Sequence, residues 1–457
     1  MSEHVIENPL GTEPVGKLLR SFAVPSCVAM IVNALYNIVD QIFIGRGVGY
    51  LGNGATNTIL PLTILAIALA LLFGDGCAAF YSIQLGRKKP EDAAKGVGTA
   101  LICCILCGVI LCVVCSIFLV PICRLTGVTD LILPYAKDYG RIIVAGFPMV
   151  TFTCCFASII RADGSPVYSM VGLVAGCVTN IILDYLFVFP LHMGVKGAAL
   201  ATLCGQLVNT IISLFYFARF KQVKLTRDVW KIRLSYVKNV ARLGISSFIV
   251  QFAVVIIIVI TNNLLIVYGA KSVYGPEIPL TALGVTMKIN NILIGLMCGI
   301  GAGALPIIGY NYGAGNVDRI KKTIKLAILS ATICGAIATV FFQLFPEQIV
   351  AIFGAESELY TDFGIKCLRI FLMLCTLDGL NNVVPTCFQA VNKPGYSVAA
   401  SVMRQLGFNV PPAILFARLI GVTGILWGGP VCATLSFILN IFLLRSVFKR
   451  LDRGVAI

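Results

Sequence analysis

Charge is scarce in this chain. Charged residues make up 12% of it, about half the fraction of an ordinary soluble domain. Acids are scarcer still, 20 Asp and Glu against 35 Lys and Arg, and there are only 2 His and 2 Trp. So little polar surface cannot cover a water-soluble globule, which excludes that class. Metal and disulfide scaffolds are excluded differently. The 18 cysteines form no CxxC…CxxC pattern and no Cys/His cluster. Most lie inside apolar runs, as Cys103, Cys104, Cys107, Cys112 and Cys115 do in a single run, and read as small apolar fillers. A nucleotide loop is missing too. Residues 11–17, GTEPVGK, imitate one, but Leu18 stands where Ser or Thr is needed and no strand precedes it. No nucleophile or metal set is present, so no enzyme is expected and no cofactor. The first 16 residues are polar and acidic, unlike a cleavable signal peptide.

Apolar residues are abundant, at 58%, and run in long uninterrupted stretches such as ALICCILCGVILCVVCSIFLV at 100–120. Lipid admits only helices and closed barrels, because each backbone N–H and C=O needs an internal partner. A barrel would show alternating segments of about ten residues, so the expected fold class is an all-α polytopic membrane protein. With about 20 residues per crossing, twelve transmembrane helices are predicted: 18–44, 52–84, 95–120, 132–161, 166–189, 195–218, 241–268, 280–311, 321–345, 359–390, 395–417 and 422–447. With the N-terminus inside, 24 of the 35 basic residues fall on the inner side. The loop before the tenth span is acidic instead (Glu347, Glu356, Glu358, Asp362). Both termini are therefore expected in the cytoplasm, in a multi-pass protein of the cell membrane. The net charge of +15 reports this topology, not nucleic-acid binding.

The chain repeats itself. QLGRKKPED (84–92) recurs as NYGAGNVDR (311–319), IRADGSPVYS (160–169) as FQAVNKPGYS (388–397), and GVKGAALAT (194–202) as GVTGILWGG (421–429). The offset is 227 or 228 residues throughout. Six spans per half is an even number, so the halves are parallel repeats, expected as two six-helix bundles around a central cavity. The division reads as a cytoplasmic tail (1–17), an N-terminal lobe (18–218), a basic linker (219–240), a C-terminal lobe (241–447) and a cytoplasmic tail (448–457).

Ionisable residues within spans are costly in lipid and mark functional positions. Asp40 and Asp184 both fall near the outer ends of outward-running spans, with Asn180 one turn before Asp184. Thr202 and Ala198 lie in the outer half of the sixth span, and Tyr139 in the first turns of the fourth. Two carboxylates in a half-dry pocket repel each other and lose hydration, which favours uptake of a proton. Alternatively, Asp40, Asn180, Asp184 and Thr202 offer oxygens to a hard cation such as Na⁺. The first span, LLRSFAVPS (18–26), pairs more weakly with VARLGISS (240–247), which sets Asp40 opposite Thr261, while the main offset sets Asp184 opposite Pro411 or Pro412; this confines the chemistry to the first half. Tyr36, Gln251 and Asp378 are candidate substrate-cavity residues. Asp75 and Asp378 either sense a cationic substrate or pair with a base such as Lys288, Arg369 or Arg404. Pro25 is a candidate hinge in the first span. Gly295, Gly299 and Gly303 form a close-packing face.

These residues together resemble the multidrug and toxic compound extrusion (MATE) family over essentially the whole chain. The resemblance is carried by YNIVDQIFIG (36–45), NIILD (180–184) with GAALAT (197–202), QLGRKKPEDA (84–93), GYNYGAGN (309–316) and CFQAVNKP (387–394), and is closest to its DinF-like bacterial branch. It implies two six-helix bundles around a large cavity, exporting organic, usually cationic compounds in exchange for H⁺ or Na⁺. It also implies that Asp40, Asn180, Asp184 and Thr202 form the cation site, with the Ala198 carbonyl and a Tyr139 hydrogen bond, and it places Pro25 at the bend of the first span. Some members carry a cation-binding Glu in the seventh span, where this chain has Gln251. The expectation is a monomeric antiporter for drug-like molecules in the lipid bilayer, its transported H⁺ or Na⁺ replacing any cofactor. The main alternative, a lipid-linked oligosaccharide flippase, would need a cavity rich in cationic residues.

Overall fold

The structure, a computed structural model, describes residues 8–125, 128–352 and 357–453. The outermost parts of both predicted tails and Glu356 lie outside the described residues. The helices of the first half are α1 (Pro9–Thr12), α2 (Val15–Gly47), α3 (Tyr50–Gly86), α4 (Pro90–Ile117), α5 (Leu119–Leu125), α6 (Leu133–Ala145), α7 (Phe147–Ala162), α8 (Pro166–Val188) and α9 (Gly194–Phe215). Those of the second are α10 (Leu234–Gly269), α11 (Glu277–Gly313), α12 (Val317–Leu344), α13 (Pro346–Ile352), α14 (Glu358–Lys366), α15 (Cys375–Ala390), α16 (Pro394–Val402), α17 (Val410–Ile420) and α18 (Val422–Asp452). No strand occurs among the described residues.

Nine of these helices are long and apolar enough to cross a membrane singly, and α6 with α7 makes a tenth crossing bent by 49°. The remaining two crossings of the twelve-helix fold are the interrupted ones. Five residues of π-helix, Cys367–Phe371, separate α14 from α15, and a second π segment, Met403–Gly407, separates α16 from α17. The predicted spans 132–161, 359–390 and 395–417 are thus each interrupted. Apolar composition sets the length of a crossing but does not register a local widening of the helix. The seventh span begins at Leu234, inside the segment read as linker.

The repeat is written in the backbone. Left-handed φ values occur at Lys88 (58°) and Gly315 (78°), at Gly164 (88°) and Asn392 (55°), and at Gly194 (59°) and Gly421 (77°). Each pair is separated by the repeat offset. Each turn feeds a helix, and Pro166 and Pro394 open equivalent ones, proline being preorganised for a first turn.

The first crossing of each half packs along the second crossing of the other, α2 on α11 and α10 on α3. Lipid tails are as apolar as the side chains, so close backbone approach replaces the hydrophobic effect as the drive for helix packing. A Cβ at Gly76 would overlap the Val240 carbonyl, and one at Gly244 the Leu72 carbonyl. At the basic end, a Cβ at Gly86 would overlap the Tyr310 carbonyl, and one at its repeat partner Gly313 the Ile83 carbonyl. Toward the other end the seam loosens. A Cβ would come within 2.6 Å of Ala23 at Gly303, 2.8 Å of Cys27 at Gly299 and 3.4 Å of Met30 at Gly295. One and two turns further out, Asn33 and Asn37 of α2 and Lys288 and Asn291 of α11 are exposed. The bundles are closed at the basic end and diverge at the opposite one.

Two polar clusters reinforce the closed end. Arg319 donates through Nη2 to the Leu10 and Glu13 carbonyls (3.1 and 2.7 Å) and through Nε to Asn311 Oδ1 (3.1 Å). Asn311 Nδ2 donates to the Leu10 carbonyl at 3.0 Å, so the segment before α2 is strapped to the second half. Asp163, at the end of α7, accepts from the Tyr216 hydroxyl (2.6 Å), the Tyr81 hydroxyl (2.5 Å) and the backbone N–H of Lys221 and Gln222 (2.8 and 3.1 Å). This ties the linker to the first bundle.

Candidate cation-coupling site

Helix α2 brings Tyr36 and Asp40, α8 brings Asn180 and Asp184, α9 brings Ala198 and Thr202, and α6 brings Tyr139. The spacing places Asn180 and Asp184 on one face of α8, and Ala198 and Thr202 on one face of α9. All seven converge. Asp40 is 8% exposed, Asp184 0%, Asn180 2% and Tyr139 8%. The two carboxyl groups face each other, and Tyr36 and Tyr139 both flank them. Asn180 Nδ2 donates to Thr202 Oγ1 at 3.3 Å.

The decisive feature is what these oxygens lack. Asp40 Oδ1, Asn180 Oδ1 and both oxygens of Asp184 are buried and accept no hydrogen bond. A buried acceptor left without a donor costs about 1–3 kcal/mol, and more when charged. Four of them pointed into one space form a site complementary to something that supplies positive charge. Hard cations take such carboxylate and amide oxygens, and a proton shared between the acids would serve the same end. Among the described residues no group of three or more His, Cys, Asp or Glu side chains forms a metal site, so the two-carboxylate set relies on the neutral oxygens of Asn180 and Thr202.

The second half is built differently. Asp378 does not face open space: Arg404 Nη2 donates to its Oδ1 at 3.1 Å and Nη1 to Asn382 Oδ1 at 2.8 Å. The pair is mostly buried, with side chains 16% and 21% exposed. Of the three bases considered from sequence, Arg404 is the partner, and it sits within the π segment Met403–Gly407. Gln251 is half-buried on α10, one turn beyond Ser247. Pro25 is buried inside an unbroken α2, between Ala23 and Cys27, the two residues that meet the glycines of α11. It leaves the Ser21 carbonyl without its helical donor, so any bend there would also alter the packing of α2 on the glycines of α11.

Sequence reading missed three groups. Asp163 had one available signal: an acid within a repeated motif whose counterpart is Val391. Arg319 had the same kind of signal, a base closing the repeated motif NYGAGNVDR whose counterpart is Asp92. The serines that hold Asp75 carried none at all.

A family model described as MatE matches the chain twice, over residues 25–186 and 243–415. The multidrug export protein MepA of Staphylococcus haemolyticus is 24% identical over 441 residues, covering 95% of this chain and 94% of the relative. The protein of the same name in Staphylococcus saprophyticus is 25% identical over 449 residues, covering 94% of each. Among solved structures, the outward-facing conformation of a multidrug resistance MATE family transporter of the MOP superfamily matches with a TM-score of 0.91. It shares 23% identity over 97% of this chain and 98% of the other.

Proposed function

The chain belongs to the MATE family of multidrug efflux transporters, and we propose that it is a secondary antiporter exporting organic, cationic compounds in exchange for H⁺ or Na⁺ bound at Asp40 and Asp184. The observation that carries this reading is the set of four buried oxygens with no donor, on Asp40, Asn180 and Asp184. The basic end is taken as cytoplasmic from its Lys and Arg excess, which makes this conformer outward-facing.

In this scheme the two acids are loaded from outside through the gap between the bundles. An incoming cation relieves their mutual repulsion and satisfies Asn180. Asp40 shares α2 with Pro25, so loading acts on the helix that forms the seam with α11. The loaded state releases drug outward and returns to the inward-facing form, where the ion leaves. Exchange of one monovalent organic cation for one H⁺ or Na⁺ moves no net charge, so the concentration gradient of the ion drives the export, and each tenfold of it, about 1.4 kcal/mol, can hold a tenfold drug gradient.

The test is ethidium efflux from vesicles holding the purified protein, under an imposed pH gradient or an imposed Na⁺ gradient, applied separately. Efflux driven by one of them supports the reading and identifies the ion. Efflux indifferent to both contradicts it.

A further inference from the structure

The seam between the bundles holds a second carboxylate that the coupling scheme does not use. Asp75 lies on α3 beside Gly76, where α3 and α10 come closest. Its two oxygens are shared between the halves. Ser158 Oγ of α7 donates to Oδ1 at 2.9 Å, and Ser247 Oγ of α10 donates to Oδ2 at 2.9 Å. Arg161 is linked to it through Ser158, donating from Nη2 to that hydroxyl at 2.8 Å. Asp75 thus has no ion-pair partner within 4.0 Å among the described residues.

Ser247 is held from behind by its own bundle. Gln389 Nε2 donates to the Ser247 oxygen at 3.0 Å, which leaves the hydroxyl proton free to point at Asp75. Separation of the bundles at the basic end carries Ser247 away with α10 and leaves Asp75 with Ser158 alone. One oxygen of a charged group is then exposed to whatever fills the opening. Asp378 cannot play this part while Arg404 holds it, and Asp40 and Asp184 lie far along the first bundle.

We propose that Asp75 is the receptor for the positive charge of organic cations in the conformer open at the basic end, and that closure releases them because Ser247 takes the cation's place. This rests on the export reading above. It gives the transport cycle a contact that exists in one conformer only, which is what a ligand needs if its binding is to differ between two states.

The test uses the full-length protein in vesicles with ethidium as the probe. Asp75→Asn keeps the shape and loses the charge, so KM for ethidium rises roughly ten- to hundredfold, as loss of a charged contact implies, with Vmax little changed. Ser247→Ala removes the competitor, so KM falls below the wild-type value while Vmax drops. A merely structural role for Asp75 predicts no such opposition. Unchanged KM in both variants, or a rise in both, overturns the proposal. Should Asp75→Asn fail to fold, Ser247→Ala decides alone: a lower KM supports the proposal, and an equal or higher one overturns it. Wild-type protein that moves no ethidium overturns the export reading instead.

Discussion

The two halves share turns, helix order and packing, yet treat their embedded carboxylates in opposite ways. In the first half Asp40 and Asp184 face each other with oxygens that accept nothing. In the second half Asp378 is held by Arg404 and lies near Asn382. The helices differ to match. Helix α8 runs unbroken from Pro166 to Val188, whereas its counterpart is interrupted by the π segment that contains Arg404. A widened turn re-aims one side chain without moving the scaffold. A repeated six-helix unit can therefore keep its fold while one copy leaves its embedded acids facing each other and the other holds its acid with an internal base. Thr261, the counterpart of Asp40 on α10, completes the second half's departure.

If the scaffold is symmetric, equivalent glycines must matter equally. Gly86→Ala and Gly313→Ala should each abolish export, because either Cβ meets a backbone carbonyl that cannot yield. Hydrogen exchange measured by mass spectrometry should show faster exchange at the basic ends of α3 and α11 in both. Export surviving in one but not the other would break the symmetry. Next in size is the ion pair. Arg404→Gln leaves Asp378 buried without its base and should cost about 3–5 kcal/mol, read as a lower melting temperature in detergent. Adding Asp378→Asn should restore most of it, and no recovery would mean that Arg404 serves another purpose. The smallest effect belongs to Thr202→Ala. Loss of one neutral oxygen and of the hydrogen bond that orients Asn180 should raise the ion concentration for half-maximal export roughly fivefold. An unchanged value would remove Thr202 from the site.

Much of this was legible in the sequence, for physical reasons. Lipid forces helices, so long apolar runs reveal crossings. The repeat offset survives in the motifs because the turns they encode need left-handed residues and helix-starting prolines. Asp40, Asn180, Asp184 and Thr202 could be brought together because span direction and helical spacing fix depth and face. What composition cannot carry is contact across the seam. Ser158 and Ser247 look like ordinary small polar residues until two helices bring them to Asp75. Arg404 was one of three bases within reach of Asp378, and only the π segment chooses it. The breaks in the fourth, tenth and eleventh crossings are equally silent, since a bent span and a straight one have the same apolar content.

The inequality of the halves is tested most directly by comparing ethidium efflux with and without the driving ion gradient in two proteins, Asp184→Asn and the double variant Asp378→Asn/Arg404→Gln, each checked for folding by its melting curve. The account predicts that the gradient no longer accelerates efflux in Asp184→Asn, while the double variant keeps the wild-type ratio of driven to undriven rates. A driven rate that persists in Asp184→Asn, or that disappears in the double variant, would place the coupling chemistry in the second half and contradict the account.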